Sequence, residues 1–316
     1  MKGSENMKES LMSDELFRHA FVISTCIGIL SRAFVLRVKD KQYPSRPQDY
    51  LEQIIISGLS SSLGAVVFPA LLDKEFAALT FFAVAIQQFQ GLSKEERITL
   101  ENIDNDQIVP KGSAYIEEIS STYEARSYIS LASSLGASIT YIRAVNVYEL
   151  GFWGALLASS VIGFGIAFIL RRFLRRDSVA DVAEIKPAKI TFDGPILKVN
   201  EMMIHNIGLE DTRKRYVENG LAVEIIPKNM ADFGVINDLG QRQAILHNLY
   251  IHLGIDKDVD EKDILSITRV NYETKSVLIP YIPLKKDLEV MIDVIRSTPI
   301  IETAKGTASA YKSNIS

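Results

Sequence analysis

The chain has 316 residues, 47% of them hydrophobic, with 35 Lys and Arg against 39 Asp and Glu. The apolar residues concentrate between Phe21 and Leu170. From Asp177 onward there are 17 basic and 21 acidic residues, a balance that speaks against a phosphate-binding nucleic-acid surface. Cys26, the only cysteine, rules out an intramolecular disulfide framework.

In chain order, residues 1–19 form a mixed-charge N-terminal segment. Ala20 to Val38 is long enough to cross the ~30 Å hydrocarbon core of a bilayer. Arg32 interrupts it and no small-x-small cleavage site follows, so it reads as a span and not as a signal peptide. Tyr50 to Leu72 is a second span with Pro69 near its end, and Phe76 to Leu92 a shorter third. A polar insert occupies 93–127. Tyr128 to Tyr148 is a fourth, more polar candidate containing Arg143 and Asn146. Leu150 to Leu170 is a fifth, ending against Arg171, Arg172, Arg175 and Arg176. These arginines, with Arg37, Lys39, Lys41 and Arg46 after the first span and Lys94, Arg97 and Lys111 after the third, set an orientation by the positive-inside rule. It places the N-terminus outside, the C-terminal domain in the cytoplasm and the chain in the cell membrane as a multi-pass protein. Small residues four apart, such as Ser57 and Ser61 or Ser130, Ser134 and Ser138, allow close helix packing, either in one bundle or in a homo-oligomer. Arg32 and Arg143 are charges within spans. They are candidates for a solute path, or structural residues that pair or snorkel. Glu52 and Glu149 lie near span ends.

Within the insert, Ser113 to Tyr128 reads as an amphipathic helix entering the fourth span, with Ile116, Ile119 and Tyr123 at helical spacing. Glu117 and Glu124 lie two turns apart on one side. They form a solvated acidic stripe or a contact for a partner.

After a linker at 177–188, an α+β domain occupies 189–304 and a flexible tail 305–316. Short strands flank the Asp193-Gly194 turn, and a helix from Leu209 to Asn219 stops at Gly220 before a strand from Leu221 to Ile226. Gly240 to Leu253 is a helix with Ala244, Ile245, Leu249 and Leu253 on its apolar side. A hairpin of Ile264–Tyr272 and Ser276–Ile282 precedes a helix from Leu284 to Ser297. This mixed order admits a ferredoxin-like arrangement. Lys228, Asn229, Gln241 and Arg242 surround the start of the central helix, where free N–H groups and a guanidinium could receive an anionic ligand such as a nucleotide. An ordinary solvent-facing first turn is the alternative.

Catalytic constellations are missing from the pattern. There is no His-Glu-x-x-His, and His247 and His252 are five apart, off a common helix face; His19 and His205 lie elsewhere. No aspartate lies inside a span. Asp256, Asp258 and Asp260 imitate a calcium loop, but its sixth and twelfth positions are Glu261 and Ile267. Neither phosphate-binding glycine loop occurs. Neither a metal nor a cofactor is therefore expected.

The motif Tyr115-Ile116-Glu117-Glu118-Ile119-Ser120 resembles the namesake of the YIEGIA family of membrane proteins from endospore-forming bacteria, with Glu118 and Ser120 replacing its glycine and alanine. Glu124-Ala125-Arg126, Pro227-Lys228-Asn229, the run from Gly240 to His247 and Thr298 to Glu302 extend the likeness over most of the chain. It implies a sporulation-linked membrane protein working with a small companion subunit. The expected function is a non-enzymatic regulator or scaffold that binds a partner or an anionic ligand through its cytoplasmic side. The candidates are Tyr115, Glu117, Glu124, Arg126, Lys228, Asn229, Gln241 and Arg242. A membrane protease, or a component controlling proteolysis, and a small-solute conduit are the alternatives.

Overall fold

The computed structural model describes residues 14–36, 47–72, 77–173, 177–257, 264 and 266–306. The chain divides into two compact units. The first comprises Met1–Glu96 and Ser120–Arg175, the second Arg97–Ile119 and Arg176–Ser316.

Helices α1 (Asp14–Leu36), α2 (Pro47–Leu72), α3 (Ala77–Asp104), α4 (Ser113–Asn146) and α5 (Phe152–Phe173) come first. The division between units falls within α3 and again within α4. In the first unit, small residues let the helices approach closely. A Cβ on Gly64 would lie 2.2 Å from the Leu131 carbonyl oxygen, and one on Gly28 2.8 Å from that of Ser130. Hydroxyls supply the lateral bonds: Ser138 donates to the Ala65 carbonyl at 2.9 Å, and the Ser61 and Ser130 hydroxyls lie 2.7 Å apart. Packing and interhelical hydrogen bonds of this kind hold helices together where no water drives them. Outward, α2 presents Leu51, Ile54, Ile55 and Leu59, and α5 presents Leu157, Val161 and Phe168. Such bare apolar faces are compatible with a membrane as their neighbour.

By length and composition, three stretches could cross a membrane: Glu15–Phe34, Gln53–Leu72 and Phe152–Phe173. The expectation of five spans is thereby corrected to three candidates among the described residues. The expected third span continues without a break through Lys94, Glu95 and Arg97 as α3. The expected fourth is the second half of a 34-residue helix, its hydropathy diluted by serines that face other helices. Of the orientation-setting cations, Arg37, Lys39, Lys41, Arg46, Arg175 and Arg176 lie outside the described residues. So does Lys74, and nothing is described of the Glu52 side chain.

The second unit continues with α6 (Val179–Val182), β1 (Ala183–Pro187), β2 (Ile190–Asp193), β3 (Ile196–Val199), β4 (Met202–Asn206), α7 (Glu210–Asn219) and β5 (Leu221–Pro227). Then follow α8 (Met230–Asn237), α9 (Leu239–Leu253), β6 (Arg269–Asn271), β7 (Ser276–Tyr281) and α10 (Leu288–Ser297). One antiparallel sheet has the order β1-β5-β7-β6 and a second the order β2-β3-β4. Val223, Ile225, Ile279, Ile245, Leu249, Met291 and Ile295 fill the core.

The expected linker at 177–188 is instead folded: α6 and β1 lie within it, and β1 pairs with β5 from Ala183 opposite Pro227 to Pro187 opposite Val223. The ferredoxin-like arrangement is not found. A ferredoxin-like sheet keeps another strand between its first two strands, whereas here the order is β1-β5-β7-β6 and β1 lies directly beside β5. The cause is local: the Asp193-Gly194 turn starts a meander after β1 in place of a crossover helix, and the chain re-enters beside β1 from the opposite direction. Gly194 meets the turn's demand with φ +59°. Gly220 acts differently. Its φ is −64°, and a Cβ there would lie 2.2 Å from the Tyr216 carbonyl oxygen, so close approach is what requires glycine. Of the expected tail, Lys305 and Gly306 are helical and the remainder lies outside the described residues.

Candidate functional site

The second unit contains a piece of chain from between the expected spans. The last turn of α3 ends at Asp104, whose carboxylate accepts the backbone N–H groups of Lys111 at 2.5 Å and Gly112 at 3.0 Å. That bond pair closes the 105–112 loop, and Gly112 turns it with φ +83°. Helix α4 then begins, sending Tyr115 and Ile116 into buried positions.

Helix α9 receives this segment. The His247 ring pairs through Nδ1 with the Val109 carbonyl at 2.9 Å, and the Gln243 amide donates to the Pro110 carbonyl. The Tyr115 and His247 rings meet edge to face at 6.3 Å. Because the Val109 oxygen can only accept, the ring carries its proton on Nδ1 and leaves Nε2 basic. Burial lowers the His247 pKa from its ordinary value against the Val109 bond, which raises it, and the nearby Lys111 ammonium lowers it further. Burial lowers the Lys111 pKa as well.

The Thr298–Glu302 stretch closes the third side. Gln241, 0% exposed, donates its amide to the Pro299 carbonyl at 3.0 Å and accepts the Ile301 N–H at 2.9 Å. Glu118 accepts the Glu302 N–H at 3.0 Å. The Asn248 amide donates to the Thr298 hydroxyl at 3.3 Å. Three motifs remote in sequence thus meet in one unit, with Glu118 and Gln241 each satisfying buried or half-buried backbone groups.

The other expected site residues are not assembled. Asn229 caps α8 by accepting the Asp232 N–H at 2.9 Å. Lys228 donates to the Ala180 and Asp181 carbonyls at 2.9 and 2.8 Å. Arg242 donates to the Asn237 carbonyl and the Thr268 hydroxyl, both at 3.2 Å, and its burial lowers its pKa. At the start of α9, the Asp238 carboxylate already accepts the Gln241 N–H at 3.1 Å. The chain's own carboxylate thus holds the position offered to an anion.

Glu117 is exposed and pairs with Arg97, which also bonds Glu101 at 2.8 Å. Glu124 and Arg126 are half-buried in the first unit, where Glu124 accepts the Tyr128 hydroxyl at 2.5 Å. Arg32, 1% exposed, donates to the Ser127 hydroxyl at 3.1 Å and to the Gln53 side-chain amide oxygen Oε1 at 2.6 Å. Arg143 is exposed in the last turn of α4, where a cation suits the helix dipole. Among the described residues, no group of three His, Cys, Asp or Glu side chains could hold a metal ion. Sequence reasoning quoted His247, Glu118 and Gln243 within motifs without giving them these contacts, counted Lys111 only among the cations after the third expected span, and passed over Asp104. The recurrence of those motifs was the one signal that could have joined them.

A helical region with three apolar helices, followed by an α+β unit built around these motifs, defines the class of this molecule. The chain belongs to the YIEGIA protein family, whose model matches residues 20–311. It is similar to the Uncharacterized protein YphB of Bacillus subtilis (strain 168), 31% identical over 293 residues covering 93% of this chain and 95% of that protein. No solved structure matches it.

Proposed function

We propose that this is a membrane-anchored regulator or scaffold whose second unit faces the cytoplasm and binds a small protein partner. The first unit is its multi-pass anchor, with α3 and α4 completing the bundle beside the three apolar helices. Its bare apolar faces support the anchoring. The aromatic residues Tyr148, Phe152 and Trp153 before or at the start of α5, and the arginines Arg171 and Arg172 in its last turn, are also suited to the two edges of a bilayer.

The observation that carries the proposal is the convergence of three distant motifs in the second unit, beside an exposed charged ridge of Arg97, Glu101 and Glu117. Exposed ion pairs of this kind contribute little to a fold, so the ridge is available for recognition. A protein partner fits better than a free anion, because Asp238 occupies the start of α9. The resemblance to the family supports the expectation that it acts in sporulation.

Affinity purification of the tagged full-length chain from sporulating cells in mild detergent, with mass spectrometry, tests the proposal. A stoichiometric small protein lost in Glu117→Ala is the expected outcome. Recovery of the same protein with wild-type and variant chains would remove the ridge from the interface. An empty purification would defeat the scaffold reading.

A further inference from the structure

We propose that the segment joining α3 to α4 is a pH-sensitive latch, held on α9 by the neutral His247 ring and released when that ring gains a proton. The segment is fastened from one side by side chains of α9. His247 bonds the Val109 carbonyl at 2.9 Å, Gln243 bonds the next carbonyl, that of Pro110, and Gly112 lies against the Gln243 stem. Any event that unseats the ring loosens consecutive contacts together.

The ring is 1% exposed. With Nδ1 committed to Val109, an added proton goes to Nε2 and creates a cation with little access to water, a costly change unless a counter-charge answers it. The titratable groups facing the ring are Asp104 and Lys111 of the segment and its α3 end, Tyr115 of α4, and Tyr250 of α9. The Lys111 ammonium opposes a second positive charge. The Val109 bond and the Asp104 carboxylate favour one, but burial outweighs the bond, and both Asp104 oxygens already accept the Lys111 and Gly112 amides.

The sign follows. Seating lowers the His247 pKa from its ordinary value of 6.5. The latch is fully closed above the ordinary value and loses stability as pH falls through the lower, seated one. One proton is coupled to opening, so the open population rises at most about tenfold per pH unit.

Hydrogen exchange of the full-length chain in detergent, from pH 5 to 8 and corrected for intrinsic exchange, tests this on peptides covering 105–112. In the wild type, opening should increase towards a tenfold-per-unit slope at low pH. His247→Asn keeps an amide near Nδ1 for Val109 but cannot titrate, and its profile should be flat. Lys111→Met removes the opposing cation and should move the midpoint to higher pH. A flat wild-type profile, an unchanged slope in His247→Asn or an unmoved midpoint in Lys111→Met would each overturn the latch.

Discussion

Replacing Gln241 by Met tests whether the α9–Thr298 contact is a structural clamp. The side-chain volume is conserved and its two polar partners are lost. Pro299 would retain an unanswered carbonyl and Ile301 an unanswered N–H, the latter at a residue 0% exposed. Each such group costs about 1–3 kcal/mol when buried, so the pair should cost roughly 2–5 kcal/mol with partial relaxation. At about 1.4 kcal/mol per decade, local opening should rise on the order of 30- to 3,000-fold. Native-state hydrogen exchange on peptides spanning 298–306 reads this directly in the full-length protein. A variant whose exchange stays within about threefold of wild type would refute the clamp, since that factor is below 1 kcal/mol. Gln241→Glu separates the two bonds. It keeps an acceptor for Ile301 but turns an oxygen on the Pro299 carbonyl, so protection should still fall.

Gly64→Ala should destabilise the first unit by about 1–3 kcal/mol through overpacking, because the added carbon would lie 2.2 Å from the Leu131 carbonyl. Trp153, the only tryptophan, lies in that unit and reports its unfolding by fluorescence. Gly220→Ala should lower the melting temperature of the second unit more than Gly194→Ala. The first meets the Tyr216 carbonyl at 2.2 Å, whereas the second meets nothing within 4 Å and suffers only its φ of +59°; circular dichroism melts of both variants decide the order. Burial pushes the Tyr216 phenol up to about 12. The stability it confers is complete below the ordinary tyrosine value near 10 and is lost as pH rises through the folded one. Denaturant midpoints between pH 9 and 12 should therefore fall less steeply in Tyr216→Phe.

Much of the second unit was legible because its signals are local. Asp193-Gly194 announces a hairpin, and the apolar spacing from Ala244 to Leu253 announces α9. Helix α8 was missed because Phe233, Gly234, Val235 and Ile236 are all buried, which erases the helical period. Strand β1 resembled a linker because its inward residues are only Ala183 and Ile185, while Glu184, Lys186 and Pro187 face solvent. The three candidate apolar helices stood out by hydropathy. The polar insert did not reveal its destination, since the bonds from Val109, Pro110 and Glu118 to residues more than 130 positions later leave no local trace. Resemblance collected the motifs, but only geometry showed that three of them meet, and that Lys228, Asn229 and Arg242 bond within the fold.

The second unit is therefore discontinuous along the chain, and this has a consequence for how the protein is made. Residues 97–119 leave the ribosome before α5, and their receiving helix and strands follow later still. Until then Val109 and Tyr115 have no core to enter. A fragment starting after α5 can never supply them. Completion of the second unit thus needs both pieces of the chain, so that a product stalled before α9 leaves Tyr115 without its core, and a fragment starting after α5 leaves the seat for it uncovered.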